Sequence, residues 1–318
     1  MNGFLKVGLI ATAIAIPVIL FWSDLQQIFG NKELKVAAVK VNGDEKNKDK
    51  KDKKKKDKDE EENAPASANV RVKQKWELPA QLTEISGMAY LSNNQFACVQ
   101  DELGAIFIYN TVSNKIEKEV PFGDPGDYEG IAVAGNTAYV LRADGKVYEV
   151  ANFMGGKPTV TPYSTPLTEK HDVEGLCYDQ MNNRLLLAIK GKEPNTEDYK
   201  GIYGFDLKTK KLVSTPVYKV DLTNKIWDDI KEKKAENKIQ PSDIDIHPTT
   251  GDLYITDGAN PKLLIMDARG TPKALHHLSK SDFEQPEGIT FTPGGELYIS
   301  SEGGNGAGVI ARVEVSEP

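Results

Sequence analysis

One phrase returns five times along this chain: an acidic or small polar residue, usually a glycine, then alternating apolar residues. The copies are ISGMAY from Ile85, YEGIAV from Tyr128, VEGLCY from Val173, PSDIDIH from Pro241 and PEGITF from Pro286. Alignment stacks Ser86, Glu129, Glu174, Ser242 and Glu287 in one column, at steps of 43, 45, 68 and 45 residues. A period in the forties carried by short alternating strands belongs to propeller blades, four-stranded units that bury their faces against their neighbours. The spacing predicts an all-β chain with one five-bladed β-propeller over 70–318, six blades being the alternative.

Within the second copy, the strand Gly130–Val133 is followed by a turn at Gly135 and Asn136 and a strand Thr137–Arg142. A turn at Asp144 and Gly145 and a strand Lys146–Val150 come next, with Pro158–Pro162 as the outer strand. The 68-residue step exceeds 45 by 23, too few for another blade. A helical insert at about 223–238 fills it, with Ile226 and Ile230 four apart and Thr223 or Asn224 as the cap. A further 45 residues after Glu287 would overrun Pro318, so the last blade lacks its outer strand. Val70–Leu78 alternates as an edge strand does and is expected to complete that blade and close the ring.

Upstream, residues 4–22 are apolar apart from Lys6, long enough to cross a bilayer as one helix. We expect a transmembrane anchor or uncleaved signal sequence over 1–24, because SDLQQIF after it offers no small-x-small cleavage pattern. Residues 25–69 form a charged, low-complexity linker whose lysine-and-acid tract has nothing apolar to bury and is expected to be disordered. Lys32, Lys35 and Lys40 after the span and only Lys6 before it would place the propeller in the cytoplasm by charge bias. The signal-like N-terminus argues for the outside: a single-pass membrane protein with a periplasmic or extracellular propeller.

The net charge is −7, and the tract contributes almost nothing to its sign because its acids match its lysines. The propeller is therefore acidic, which excludes a nucleic-acid partner that needs a positive face. Cys98 and Cys177 lie in the apolar phrases FACVQ and GLCYD and read as small buried thiols.

The first strand of each propeller blade lines the axial channel, so the aligned column predicts a ring with three converging carboxylates, Glu129, Glu174 and Glu287. Glu84, Asp127, Asp172 and Gln285 stand two residues earlier, on the same strand face. Asp101, Glu102, Asp257 and Glu302 end the second strands, where Arg142 and Lys190 take the equivalent places in blades two and three. Like charges in a narrow space raise one another's pKa unless a cation neutralises them. Oxygen donors without paired histidines suit Ca²⁺. The alternatives are carboxylates that cap backbone amides and pair with Arg142 and Lys190, and an acid/base pair that does chemistry. Arg142, Lys190, His171 and Glu302 are candidate contacts for a small-molecule or protein ligand at the channel; His247, His276 and His277 read as structural.

The phrases QDELGAIFIYN, GDPGDYEGIAV, HDVEGLCYD, PSDIDIHPTTGDLYI and QPEGITFTPGGELYISSEGG together resemble the SdiA-regulated, YjiK-like propeller family over Val70–Val313. The resemblance implies a bacterial envelope protein with an N-terminal membrane segment and an exported propeller associated with calcium. It carries over Glu129, Glu174, Asp243 and Glu287 as acidic motif residues, and its comparison with phytase-like propellers makes a calcium-dependent hydrolase, of phosphoesters or lactones, the alternative to a ligand-binding or sensing module. The Lys/Asp tract is no part of that family pattern.

Overall fold

The structure, a computed structural model, describes residues 66–316. The expected anchor and all but the last residues of the expected linker lie outside the described residues. Among the described residues no helix is long and apolar enough to cross a membrane. At the linker's end, Ser67 is already bonded to the propeller: its N–H donates to the His277 carbonyl at 2.9 Å and its hydroxyl accepts the His277 N–H at 2.9 Å.

The described chain begins with β1 (Val70–Glu77) and then makes four sheets in sequence, each laid down from the channel outward. Blade 1 is β2 (Ile85–Ser92), β3 (Gln95–Gln100), β4 (Ala105–Asn110) and β5 (Lys115–Pro121). Blade 2 is β6 (Tyr128–Ala134), β7 (Thr137–Arg142), β8 (Val147–Ala151) and β9 (Thr159–Tyr163). Blade 3 has β10 (Val173–Asp179), β11 (Arg184–Ile189) and β12 (Tyr199–Asp206), whose outer side pairs with both β13 (Lys211–Leu212) and β14 (Tyr218–Asp221). Blade 4 is β15 (Pro241–Ile246), β16 (Leu253–Asp257), β17 (Lys262–Met266) and β18 (Pro272–His277). Blade 5 has only β19 (Gln285–Phe291), β20 (Leu297–Glu302) and β21 (Val309–Val315) from its own segment, and β1 completes it, running from Val70 opposite Val315 to Glu77 opposite Val309. The innermost strands touch in the cyclic order β2, β6, β10, β15, β19 and back to β2. The propeller is five-bladed and closed by its first strand, as the spacing predicts.

The core is five separate apolar layers, one between each pair of blades. The middle strands bury both faces, so alternate residues go to different layers: Val140 packs toward blade 1, whereas Leu141 packs toward blade 3. That is why runs such as LLLA in β11 are continuously apolar. Cys98 and Cys177 are free and buried in two of these layers, and burial pushes both thiols up.

The expected single helix at 223–238 is not formed. Two one-turn 3₁₀ helices, Lys225–Trp227 and Ala235–Asn237, stand there instead, and the Asn224 side chain caps the first by accepting the Ile226 N–H at 2.9 Å. The segment is anchored by Trp227, which is buried between blades 3 and 4 and donates its indole N–H to the Asp221 carbonyl at 2.8 Å. Tertiary burial of one side chain, with Ile226 and Ile230 half-covered beside it, decides the conformation where the isoleucine spacing suggests a continuous helix.

Candidate functional site: an acidic channel mouth

Each innermost strand carries a β-bulge at the same place. The register slips between Ile85 and Gly87, Tyr128 and Gly130, Val173 and Gly175, Pro241 and Asp243, and Pro286 and Gly288. The unpaired residue is in every case the aligned one: Ser86, Glu129, Glu174, Ser242 or Glu287. A bulge re-aims its extra residue and sharpens the local twist, so the repeated motif is a device that turns one side chain per blade out of the ladder. At Gly87 and Gly130 the glycine after it is demanded by the neighbouring blade. A Cβ on Gly130 would stand 2.7 Å from the Leu176 Cβ and 2.8 Å from the Glu174 carbonyl, and one on Gly87 2.9 Å from the Glu129 carbonyl.

The two serines of the ring join blades. Ser86 donates to the Tyr128 carbonyl at 2.6 Å and Ser242 to the Pro286 carbonyl at 2.7 Å, in each case the residue before the next blade's turned-out glutamate. The three glutamates remain, on blades 2, 3 and 5. Glu174 and Glu287 are buried and Glu129 half-buried. Lys190, just beyond β11, donates to Glu174 Oε1 at 2.5 Å. The second oxygen, Glu174 Oε2, is buried and has no hydrogen-bond partner among the described residues.

The electrostatics follow. Burial, with Glu174 and Asp127 nearby, pushes the Glu129 carboxyl up to about 9. Burial also lifts Glu174 well above its ordinary value, against the pull of Lys190, and Glu287 and Asp172 add to the rise. Glu287 is pushed up to about 8 by burial and by Glu302 and Glu129. Farther out, burial together with Asp101 and Glu84 raises Glu302 to about 7. Asp101 is raised by its burial and by Glu84, Glu102 and Asp127, and its Oδ1 lacks a partner. Gln285 donates to Glu302 at 2.9 Å and ties the two tiers together. Lys190, although burial works against its charge, is held protonated by Glu174, Glu287 and Asp172.

The structure thus brings together Glu129, Glu174, Glu287, Asp101, Asp127, Asp172, Glu302 and Lys190 as mutually interacting charges at one end of the channel. Four other expected residues have separate work. Asp243 holds the place that glycine takes in the other blades, and its carboxylate reaches both neighbours, accepting the Leu176 N–H of blade 3 at 3.1 Å and the Ile289 N–H of blade 5 at 2.9 Å. Asp257 pairs with Lys262 at 3.3 Å and accepts the Gln240 and Asn260 amides at 3.0 Å each. Arg142 is bonded to Asp144 at 2.6 Å and to the Tyr148 hydroxyl at 3.2 Å rather than to the ring. His171 Nδ1 accepts the Thr168 N–H at 3.0 Å and closes a turn. Sequence reasoning missed the buried Lys200 of β12, although a lysine two residues before Ile202 on one strand face is a visible break in an apolar pattern.

A family model described as SdiA-regulated matches residues 64–305. No curated protein matches the chain. Among solved structures, the glutaminyl cyclase of Myxococcus xanthus is similar at 16% identity and a TM-score of 0.51, covering 78% of this chain and 97% of that one. A streptogramin B lyase is similar at 12% identity and a TM-score of 0.46, covering 80% and 100%. The PQQ-bound aldose sugar dehydrogenase of Streptomyces coelicolor is similar at 12% identity and 0.46, covering 79% and 99%. At these identities the likeness is one of fold, and folds of this kind host unrelated activities.

Proposed function

The chain belongs to the SdiA-regulated family, and from that premise we propose that its propeller is a ligand-binding or sensing module of the bacterial cell envelope whose channel mouth takes up Ca²⁺. The observation that carries this reading is the buried, unpartnered Glu174 Oε2 among carboxyls that burial and mutual repulsion hold in their protonated form. A cation relieves both penalties at once.

The donors fit the ion in chemistry: the mouth offers carboxylate oxygens and, among the described residues, the ammonium of Lys190 as its nitrogen charge. Among the described residues no three His, Cys, Asp or Glu side chains already converge as a cage. Glu129, Glu174 and Glu287, with Asp127 and Asp172 beside them, would hold the ion, whose contribution is to fix these carboxylates in their ionised state. Lys190 does part of that work for Glu174.

Melting curves of the purified protein with Ca²⁺ and with chelator test this. A ligand at about 100 times its dissociation constant adds about 2.7 kcal/mol to stability, so Ca²⁺ is expected to raise Tm by several degrees and Glu174→Gln to abolish the gain. Superimposable curves, together with elemental analysis showing no bound calcium, would sink the reading. The same proposal places residues 4–22 in the membrane and the propeller on its outer side, which protease accessibility in intact cells checks.

A second reading, a calcium-dependent hydrolase of phosphoesters or lactones, is favoured by one observation: Glu287 and Glu302, at about 8 and about 7, titrate where a general acid and base work near neutrality. The lone Lys190 gives a phosphoester little positive charge to bind against, which ranks this reading second. Absence of turnover on both substrate classes by calcium-loaded protein removes it.

A further inference from the structure

Lys200 lies outside the acidic mouth and is an anomaly of β12. Side chains alternate along this strand: Tyr203 and Phe205 pack toward blade 2, while Ile202 packs toward blade 4. Lys200 shares the Ile202 face and is only 2% exposed. Its Nζ donates to the Lys190 carbonyl oxygen, and it forms no ion pair among the described residues. A buried ammonium without a carboxylate partner is costly and tends to shed its proton. Burial lowers the Lys200 pKa to about 8 even though Asp257, Glu236, Asp172 and Glu174 act at longer range to raise it.

Lys200 is one of the residues that line a pocket of about 540 Å³. One wall is the β11–β12 loop and the start of β12, with Asn195 and Tyr199; the other follows β14, with Leu222 and Glu236. The ion pair of Lys192 with Glu236, at 2.7 Å, joins the two walls. Glu193, also in the lining, is occupied by the Tyr203 hydroxyl at 3.0 and 2.9 Å from its two oxygens.

The lining selects the ligand class. Its carboxylates, Glu193, Glu197 and Glu236, outnumber the ammonium groups of Lys192 and Lys200, which disfavours an anion. A neutral amine can keep donating one N–H to the Lys190 carbonyl while its lone pair stays free, and a desolvated lysine in this state is a nucleophile toward carbonyl carbon. We propose that Lys200 anchors a second binding site, separate from the channel mouth, that takes small uncharged aldehydes as reversible imines. The lone pair of Nζ adds to the aldehyde carbon as the C=O π bond breaks, one nitrogen proton passes to the alkoxide to give the carbinolamine, and the hydroxyl leaves with the remaining nitrogen proton as water; the net change is one C=N bond formed and one water released, with no oxidation or reduction.

The test uses the full-length chain, propanal as the probe and cyanoborohydride, which delivers hydride to the C=N bond and fixes it as a secondary amine. Peptide mapping over a time course then ranks every lysine. A depression of about two pH units leaves on the order of 100 times more free amine at neutral pH than an ordinary lysine has, so Lys200 is expected to be propylated at least about tenfold faster than exposed lysines. Its rate should climb through about pH 8, and Lys200→Met should lose the fast label. Propylation of Lys200 no faster than the exposed lysines overturns the proposal; this comparison is made within the wild-type protein and needs no variant to fold. The comparison is made in chelator, so it does not require Ca²⁺ at the mouth.

Discussion

Glu129 shows how a single carboxyl ties the stability of this fold to pH. An unfolded glutamate titrates near 4.3, whereas in the folded chain burial and the neighbouring Glu174 push Glu129 up to about 9 and burial pushes Glu287 up to about 8. The folded state therefore binds protons more tightly, so the stability these groups contribute is fully present below about pH 4.3 and is lost as pH rises through 8 to 9. In chelator, Tm should fall across that window. Glu129→Gln removes one titration and should flatten the fall, recovering on the order of 1–3 kcal/mol at the alkaline end. Urea unfolding at several pH values measures this; a stability that rises with pH over the window would contradict the assigned burial. Lys190 stays charged throughout and does not contribute to the slope.

At the scale of the element, the recurring bulge explains both the motif and its one exception. In four blades a glycine follows the turned-out residue, and at Gly87 and Gly130 the adjacent blade leaves no room for a Cβ. In blade 4 the place belongs to Asp243, whose carboxylate accepts one amide from each adjacent blade at 3.1 and 2.9 Å. Asp243→Ala would leave the Leu176 and Ile289 amides without their acceptors, at a cost of about 1–3 kcal/mol for each buried group, while Asp243→Asn keeps one acceptor oxygen and should lose less. Chemical denaturation of both variants separates a staple from a ligand: if Asp243→Ala left stability unchanged but weakened Ca²⁺ binding, the staple would be wrong. The column of aligned residues, the strand order and the closing strand were all legible in the sequence, because period and alternation report directly on blades. The bulge was not, since it is defined by a partner strand that alternation along one chain does not reveal. The division of labour among the acids was hidden for a related reason. Asp243 stands one column beyond Glu129 in the aligned phrases, and only the blades on either side show that one carboxylate meets amides and the other meets more carboxylates. The 223–238 insert misled because the Ile226 and Ile230 spacing fits a helix, whereas burial of Trp227 fixes a shorter turn.

For the molecule as a whole, the ring depends on a strand that lies farthest from its partner in sequence. β1 supplies the outer edge of blade 5, placing Trp76 against Tyr298 with ring centroids 6.1 Å apart, and its absence would expose the full edge of β21. The Lys73–Glu314 ion pair across this seam, at 2.9 Å, is exposed and adds little; backbone pairing and the apolar contacts of Val70, Val72 and Trp76 hold the closure. An open edge invites pairing with another chain. Deleting the chain through Glu77 should therefore shift the protein to larger species on size-exclusion chromatography and lower Tm by several degrees, whereas deleting it only through Ala64 should leave the elution position and the melting curve intact. A synthetic peptide spanning Val70–Glu77 should restore part of the lost stability in trans by adding a strand to β21. An unchanged elution position and Tm after the longer deletion would show that four- and three-stranded sheets suffice to hold the ring, and that the closing strand is dispensable for its stability.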